Sequence, residues 1–305
     1  MPRFAKGVLG TALLGLGLHG LVLVGGDHRL NAALASNVLS ICLAMLATSG
    51  ALLAAQVPDR YARPFWLLTA SGFGLLTAAQ LLSTYYDVIL HASVHAIWPS
   101  DILYFLFPVP MALVLFLRRR RSREINWAQC FDFLQVGILT VAVYLYYFYL
   151  PSRWQTSASQ IERVQWRITV ALDVFLIVAC AFRLTLAQSK VEWSLLSRMA
   201  AFLTLFSAGS IAFLYRQMTL SMDAGTVWDL CYTVPVVIAT IGACTWKLPV
   251  EPVWREERSR PRPELLGSLW MSVSLPLIVL GVASRLAHER PLLATVIVVV
   301  TLASS

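Results

Sequence analysis

Residues 95–123 read HAIWPSDILYFLFPVPMALVLFLRRRRSR. Trp98, Pro99 and Asp101 open the stretch, apolar residues dominate 99–117, and four consecutive arginines close it at 118–121. An apolar run of this length crosses a hydrocarbon core of roughly 30 Å as a helix. Tryptophan favours the membrane–water interface, and arginine marks the cytoplasmic side. Proline suits the first turn of a helix, where its missing N–H costs nothing. The stretch therefore reads as one crossing that enters from outside at Trp98 and is anchored inside by the arginines.

The same pattern recurs along the chain. Its 305 residues are 58% hydrophobic and 13% charged, about half the charge of a soluble domain. Ten candidate spans follow, at 7–26, 32–56, 65–86, 99–117, 127–149, 167–186, 199–219, 228–246, 266–285 and 291–305. The fold class is all-α, a polytopic membrane helical bundle. A barrel is excluded, because its strands would be short and alternating. With the N-terminus cytoplasmic, the inside segments hold 17 of the 24 Lys and Arg. The net charge of +8 thus reads as topology and contact with anionic lipid rather than nucleic-acid binding. Cys42, Cys130, Cys180, Cys231 and Cys244 all fall in apolar runs without CxxC spacing, as small buried hydrophobes do.

The first span, with Arg3 and Lys6 ahead of it and Ala33-Leu34-Ala35 beyond it, has some features of a signal peptide. It is long for one, and Asp27, His28 and Arg29 intervene, so an uncleaved span is expected. Gly10, Gly17 and Gly20 predict close packing of this helix on a neighbour. The final run, 291–305, is short for a crossing, and the chain is expected to be the front of a longer protein.

A shift of 128 residues lays Leu67-Leu68 on Leu195-Leu196, Asp101 on Asp229 and Tyr104 on Tyr232. Two parallel four-helix repeats, at 1–126 and 127–250, are expected. Residues 251–305 then form a cytoplasmic loop and two output helices.

Polar residues inside spans are costly and need a partner or a role. Asp101 and Asp229 each stand in a first helical turn with a tyrosine three residues on, Tyr104 and Tyr232. Each acid either caps its helix or lines a common outward-facing pocket with its tyrosine, together with Trp98 and Gln80. Asp132 and Arg183 lie at similar depth on neighbouring spans and form an expected structural ion pair. Asp173 is expected to meet the tyrosine-rich run Tyr144, Tyr146, Tyr147 and Tyr149. His91 and His95, four residues apart, are the weak candidates for a metal site, which would need a third ligand; no metal or other cofactor is expected. His19, His28 and His288 lie toward the outer side and are assigned no special role. The sequence contains no GxxxxGK[ST], HExxH or GxSxG motif.

The segments RPFWLLTASGFGLLTAAQLLSTYYD, WPSDILYFLFPVPMALVLFL and DFLQVGILTVAVYLYYFYLP resemble the N-terminal multi-span regions of bacterial signalling proteins, over roughly residues 60–250. In that family such regions precede GGDEF diguanylate cyclases or sensor histidine kinases, and neither effector is present here. The resemblance implies a sensory input domain of the bacterial inner membrane, a homodimer embedded in lipid. It would bind a small or lipophilic ligand and pass a conformational change to a cytoplasmic effector. Parallel repeats and mid-span acids also fit a secondary transporter. A membrane enzyme acting on lipids is the third reading.

Overall fold

The computed structural model describes residues 3–25, 29–90, 99–117, 158–187, 189–220 and 225–249. The helices are α1 (Arg3–Gly25), α2 (Arg29–Ala54), α3 (Ala62–Thr84), α4 (Pro99–Leu106), α5 (Pro108–Phe116), α6 (Ala158–Thr185), α7 (Lys190–Leu220) and α8 (Leu230–Thr245). A π-helical turn, Tyr85–Ile89, continues α3, and a 3₁₀ turn, Val227–Asp229, leads into α8. No strand occurs among the described residues. Five helical segments are long and apolar enough to cross a membrane: Arg3–Gly25, Ala32–Ala54, Ala62–Thr84, Lys190–Phe213 and Val227–Thr245. The expected spans at 127–149, 266–285 and 291–305 lie outside the described residues.

All of the described helices except the first turn of α6 belong to one compact unit, Met1–Arg120 with Glu162–Pro249. A second unit comprises Arg121–Ile161 and Val250–Ser305, nearly all of it beyond the described residues. Short connections make α1 and α2, and α2 and α3, antiparallel neighbours. One end of the unit thus gathers Arg3, Arg60, Arg63, Lys190 and Lys247, and is called the basic end below. The opposite, hairpin end holds the α1–α2 turn, the end of α3 and the start of α8.

The surface is apolar rather than the interior alone. Leu14 is 77% and Val24 80% exposed, and Leu21, Phe182 and Tyr215 are exposed as well. A soluble protein does not carry so continuous an apolar exterior. Inside, small residues let the backbones approach, as they do between membrane helices. Ala44, Ala47, Ala51 and Ala54 form the buried stripe of α2. On α3 the buried face is Phe65, Trp66, Thr69, Ala70, Phe73 and Leu76, the three-and-four spacing of one helix side. Aromatic rings knit the helices together: Trp66 to Trp246 at 6.0 Å, Phe73 to Phe202 at 5.1 Å and Phe107 to Phe206 at 5.3 Å between centroids.

The opening stretch, expected as one crossing at 99–117, is divided into two short helices. Helix α4 begins at Pro99, and the crossing divides at Phe107 into α4 and α5. Pro108 and Pro110 supply no N–H, so the carbonyls of Tyr104 and Leu106 lose their i+4 donors. The glycine expectation for α1 fails. A Cβ on Gly10, Gly17 or Gly20 would meet nothing within 4 Å, whereas one on Gly15 would touch Leu43 of α2 at 3.1 Å. The first three glycines face outward, and small size alone did not mark the contact side.

Candidate functional site

The connected polar centre of the unit lies at the hairpin end and is built on three helices. His19 of α1 is completely buried. Its Nε2 lies 2.8 Å from Ser36 Oγ of α2, and its Nδ1 3.2 Å from Thr233 Oγ1 of α8. Ser36 donates to Asp229 Oδ2 at 2.6 Å. The same carboxylate oxygen accepts the Gly225 N–H at 2.9 Å.

The proton positions follow from counting hydrogens. Ser36 has one O–H, spent on the carboxylate, so its oxygen must accept from His19 Nε2–H. Nδ1 faces the Thr233 hydroxyl, whose single hydrogen also has the Asp229 carbonyl within reach at 3.5 Å. From His19 through Ser36 the donors point toward the carboxylate, an arrangement in which each bond polarises the next.

Local sequence accounts for this placement. Helix α1 ends at Gly25 and α2 begins at Arg29, so in this antiparallel pair His19 and Ser36 stand at nearly the same level. Gly225 adopts φ +87°, a left-handed conformation that side chains disfavour. A Cβ there would also press on Ala33 N at 2.7 Å. Glycine thus lets the turn before α8 lie against α2 and aim its N–H at Asp229.

The capping reading of Asp229 is corrected. Asp229 makes no side-chain bond to the free N–H groups of α8, and its own backbone is already helical at φ −62°, ψ −23°. A true N-cap residue is non-helical, which is what lets its side chain fold forward. The carboxylate turns back instead, to Gly225 and Ser36.

A second polar group lies between α6, α7 and α8. Asp173 is 5% exposed and Ser207 1%. The Asp173 carboxyl lies beside the hydroxyls of Ser207 and Ser210. The Tyr232 hydroxyl also reaches Ser210, with Asp173 close by, and its ring packs on Phe206 and Phe213 at 5.8 and 5.0 Å. Asp173 Oδ2 and Ser207 Oγ have no hydrogen-bond partner among the described residues. Asp173 does meet a tyrosine, but it is Tyr232; the expected run 144–149 lies outside the described residues. Pro235 adds to this region. It removes the donor for the Cys231 carbonyl, and Gly209 sits against that oxygen with no room for a Cβ.

Of the other expected site residues, Gln80 is half-buried near the hairpin end of α3, and its Oε1 is buried without a partner. Asp101 is half-buried in the first turn of α4. Tyr104, expected to line the outward-facing pocket, is 39% exposed on α4. Trp98, His91, His95 and Asp132 lie outside the described residues. Arg183 donates from Nη2 to the Leu117 carbonyl at 2.8 Å; its expected partner Asp132 is outside the described residues.

At the basic end, Tyr61 is buried in the α2–α3 connection. Burial, followed by the nearby Glu192 carboxylate, pushes its phenol up to about 12. Asp59 caps α3 by accepting the N–H groups of Tyr61 and Ala62 at 2.9 and 2.7 Å. Ser189 caps α7, accepting the Glu192 N–H at 3.1 Å.

Fold and site together define an α-helical membrane protein with a buried polar core at one end. Compared with known proteins, the chain matches no family model, no curated protein and no solved structure.

Proposed function

We propose that the chain is the sensory input region of a bacterial inner-membrane signalling protein, with the basic end cytoplasmic and the hairpin end outward. The single observation that carries this reading is the Thr233–His19–Ser36–Asp229 chain, which fastens α8 to the α1–α2 hairpin on the outward half. A small polar or amphiphilic ligand that competes for Ser36 and Asp229 loosens that fastening. Helix α8 runs from there to Trp246, against Trp66 at the basic end, so a change of packing at one end has a rigid path to the other. The ligand acts only through a difference in its affinity for the two packings.

The two-repeat architecture belongs to the same proposal and has support in the helix starts. Arg29 and Ala158, Ala62 and Lys190, and Pro99 and Val227 are separated by 129, 128 and 128 residues. That is the offset at which Asp101 aligns with Asp229. The two output helices and the homodimer complete the proposed module.

The transporter reading is favoured by one observation, the partnerless buried Asp173 Oδ2. A thermal-shift screen of small carboxylates, amines and amphiphiles on the purified chain, followed by uptake into proteoliposomes, separates the two. The sensor reading expects a compound that stabilises the wild type, fails on Asp229→Asn and is not accumulated. Accumulation of that compound overturns it.

A further inference from the structure

The sensory reading uses Asp229 and leaves Asp173 unexplained. A bare carboxylate within a membrane-spanning helix is costly, so it is neutralised by a proton, a basic side chain or a bound cation. Two basic side chains of α6 and α7 are engaged elsewhere. Arg183, about 15 Å further along α6 at 1.5 Å per residue, is bonded to the Leu117 carbonyl. Arg216 lies over the Trp228 ring at 4.9 Å. Among the described residues, the polar groups beside Asp173 are oxygens: the hydroxyls of Ser207 and Ser210, and the Tyr232 hydroxyl that reaches Ser210.

Two of these oxygens, Asp173 Oδ2 and Ser207 Oγ, are buried with no partner at full hydrogen-bond geometry among the described residues, although both serines stand close enough to favour the carboxylate. Native proteins rarely leave such groups without a ligand. Nearby, Pro235 has also stripped the Cys231 carbonyl of its helix donor, and α7 approaches that carbonyl at Gly209, between the two serines. Unwound or freed carbonyls next to a mid-span acid are how membrane helices hold small cations.

We propose that Asp173, Ser207 and Ser210 form a binding site for a monovalent cation of the sodium class, held between α6, α7 and α8. The charge count selects the valence. One carboxylate exactly balances one positive charge in a low-dielectric interior, whereas a divalent ion would leave a buried net charge. Carboxylate and hydroxyl oxygens are hard donors, suited to alkali and alkaline-earth ions rather than to soft metals. The site uses none of His19, Ser36 and Asp229 as a ligand, and it holds whether the chain signals or transports.

The test is the thermal stability of the purified full chain in nanodiscs, titrated with NaCl, LiCl, KCl or choline chloride at constant ionic strength. The expected result is a saturable stabilisation by Na⁺ that choline does not give. Asp173→Asn abolishes it, and Ser207→Ala raises the half-maximal Na⁺ concentration roughly tenfold or more, the low end of what even outer-shell partners of a metal contribute. Should Asp173→Asn not fold, Ser207→Ala and Ser210→Ala carry the test on the same readout. Equal stability in all four salts overturns the proposal, as does a sodium response that survives in Asp173→Asn. A response to pH alone, identical in every salt, also overturns it and makes the occupant a proton.

Discussion

Replacing Ser36 by alanine removes the one hydroxyl that joins His19 to Asp229. Two bonds go at once, 2.8 Å to the imidazole and 2.6 Å to the carboxylate. A hydrogen bond to a charged group is worth roughly 1.5–3 kcal/mol. Interhelical bonds within membranes run lower, averaging about 0.6 and reaching about 1.7 kcal/mol. The carboxylate keeps its Gly225 N–H, so it is not orphaned, whereas His19 Nε2 is. About 2 kcal/mol for the carboxylate bond and about 1 for the imidazole bond give a loss of about 3 kcal/mol. Thr233→Val removes the 3.2 Å contact to His19 and the long 3.5 Å bond to the Asp229 carbonyl and is expected to cost about 1 kcal/mol. Equilibrium unfolding in bicelles by steric trapping measures both. The decisive quantity is the double-mutant cycle of Ser36→Ala with Asp229→Asn, expected to show a coupling of about 1–2 kcal/mol. A coupling within about 0.5 kcal/mol of zero, the scatter of independent sites, would refute the reasoning that the two residues act as one fastening.

Two glycine substitutions are expected to differ sharply. Gly209→Ala drives a methyl into the Cys231 backbone and should cost about 1–3 kcal/mol, whereas Gly72→Ala meets only the flexible end of Met111 and should stay within about 1 kcal/mol; thermal unfolding of both variants in the same lipid checks the contrast. Gly225→Ala combines a left-handed backbone with contact on Ala33, and a loss of about 2 kcal/mol or more is expected in the same assay. The raised Tyr61 phenol has a linkage consequence. Its folded value of about 12 lies above the ordinary 10, so the unfolded chain loses this proton first and stability falls as pH rises from about 10 to about 12. Tyr61→Phe should remove that share of the alkaline loss, read from unfolding midpoints across the window.

The sequence shows where apolar matter crosses a membrane better than it shows where helices begin. Runs expected at 7–26 and 65–86 correspond to Arg3–Gly25 and Ala62–Thr84. Helices α6 and α7 start nine residues ahead of the runs expected at 167 and 199, because Glu162, Arg163 and Lys190 are helical yet too polar to register as membrane. The Ser189-x-x-Glu192 pattern, a capping box in form, marked the true start of α7. Proline was legible at Pro99, where a first-turn place was expected; the division at Pro108 follows from the same local chemistry but was not expected.

The polar core was legible only in part. Asp229 stood out as an acid inside a span, but the direction of its carboxylate depends on a 3₁₀ turn and on Gly225, which no local periodicity reveals. His19 read as an isolated histidine because both of its partners are on other helices, one of them 214 residues away. The level shared by His19 and Ser36 in the antiparallel α1–α2 pair was available and would have linked them. Asp173 could be recognised as costly, but not as a neighbour of Ser207 and Ser210, which only the packing of α6 on α7 brings together.

The central claim is that the fastening at the hairpin end is read at the basic end. Spin labels at Leu67 on α3 and Leu248 just beyond α8, both exposed, report the distance between those helices at the basic end by double electron–electron resonance in nanodiscs. With Leu52 and Leu67 as a control pair on α2 and α3, Ser36→Ala should shift or split the Leu67–Leu248 distribution and leave the control unchanged. An unaltered Leu67–Leu248 distribution in a variant whose His19–Ser36–Asp229 chain is broken would contradict the account.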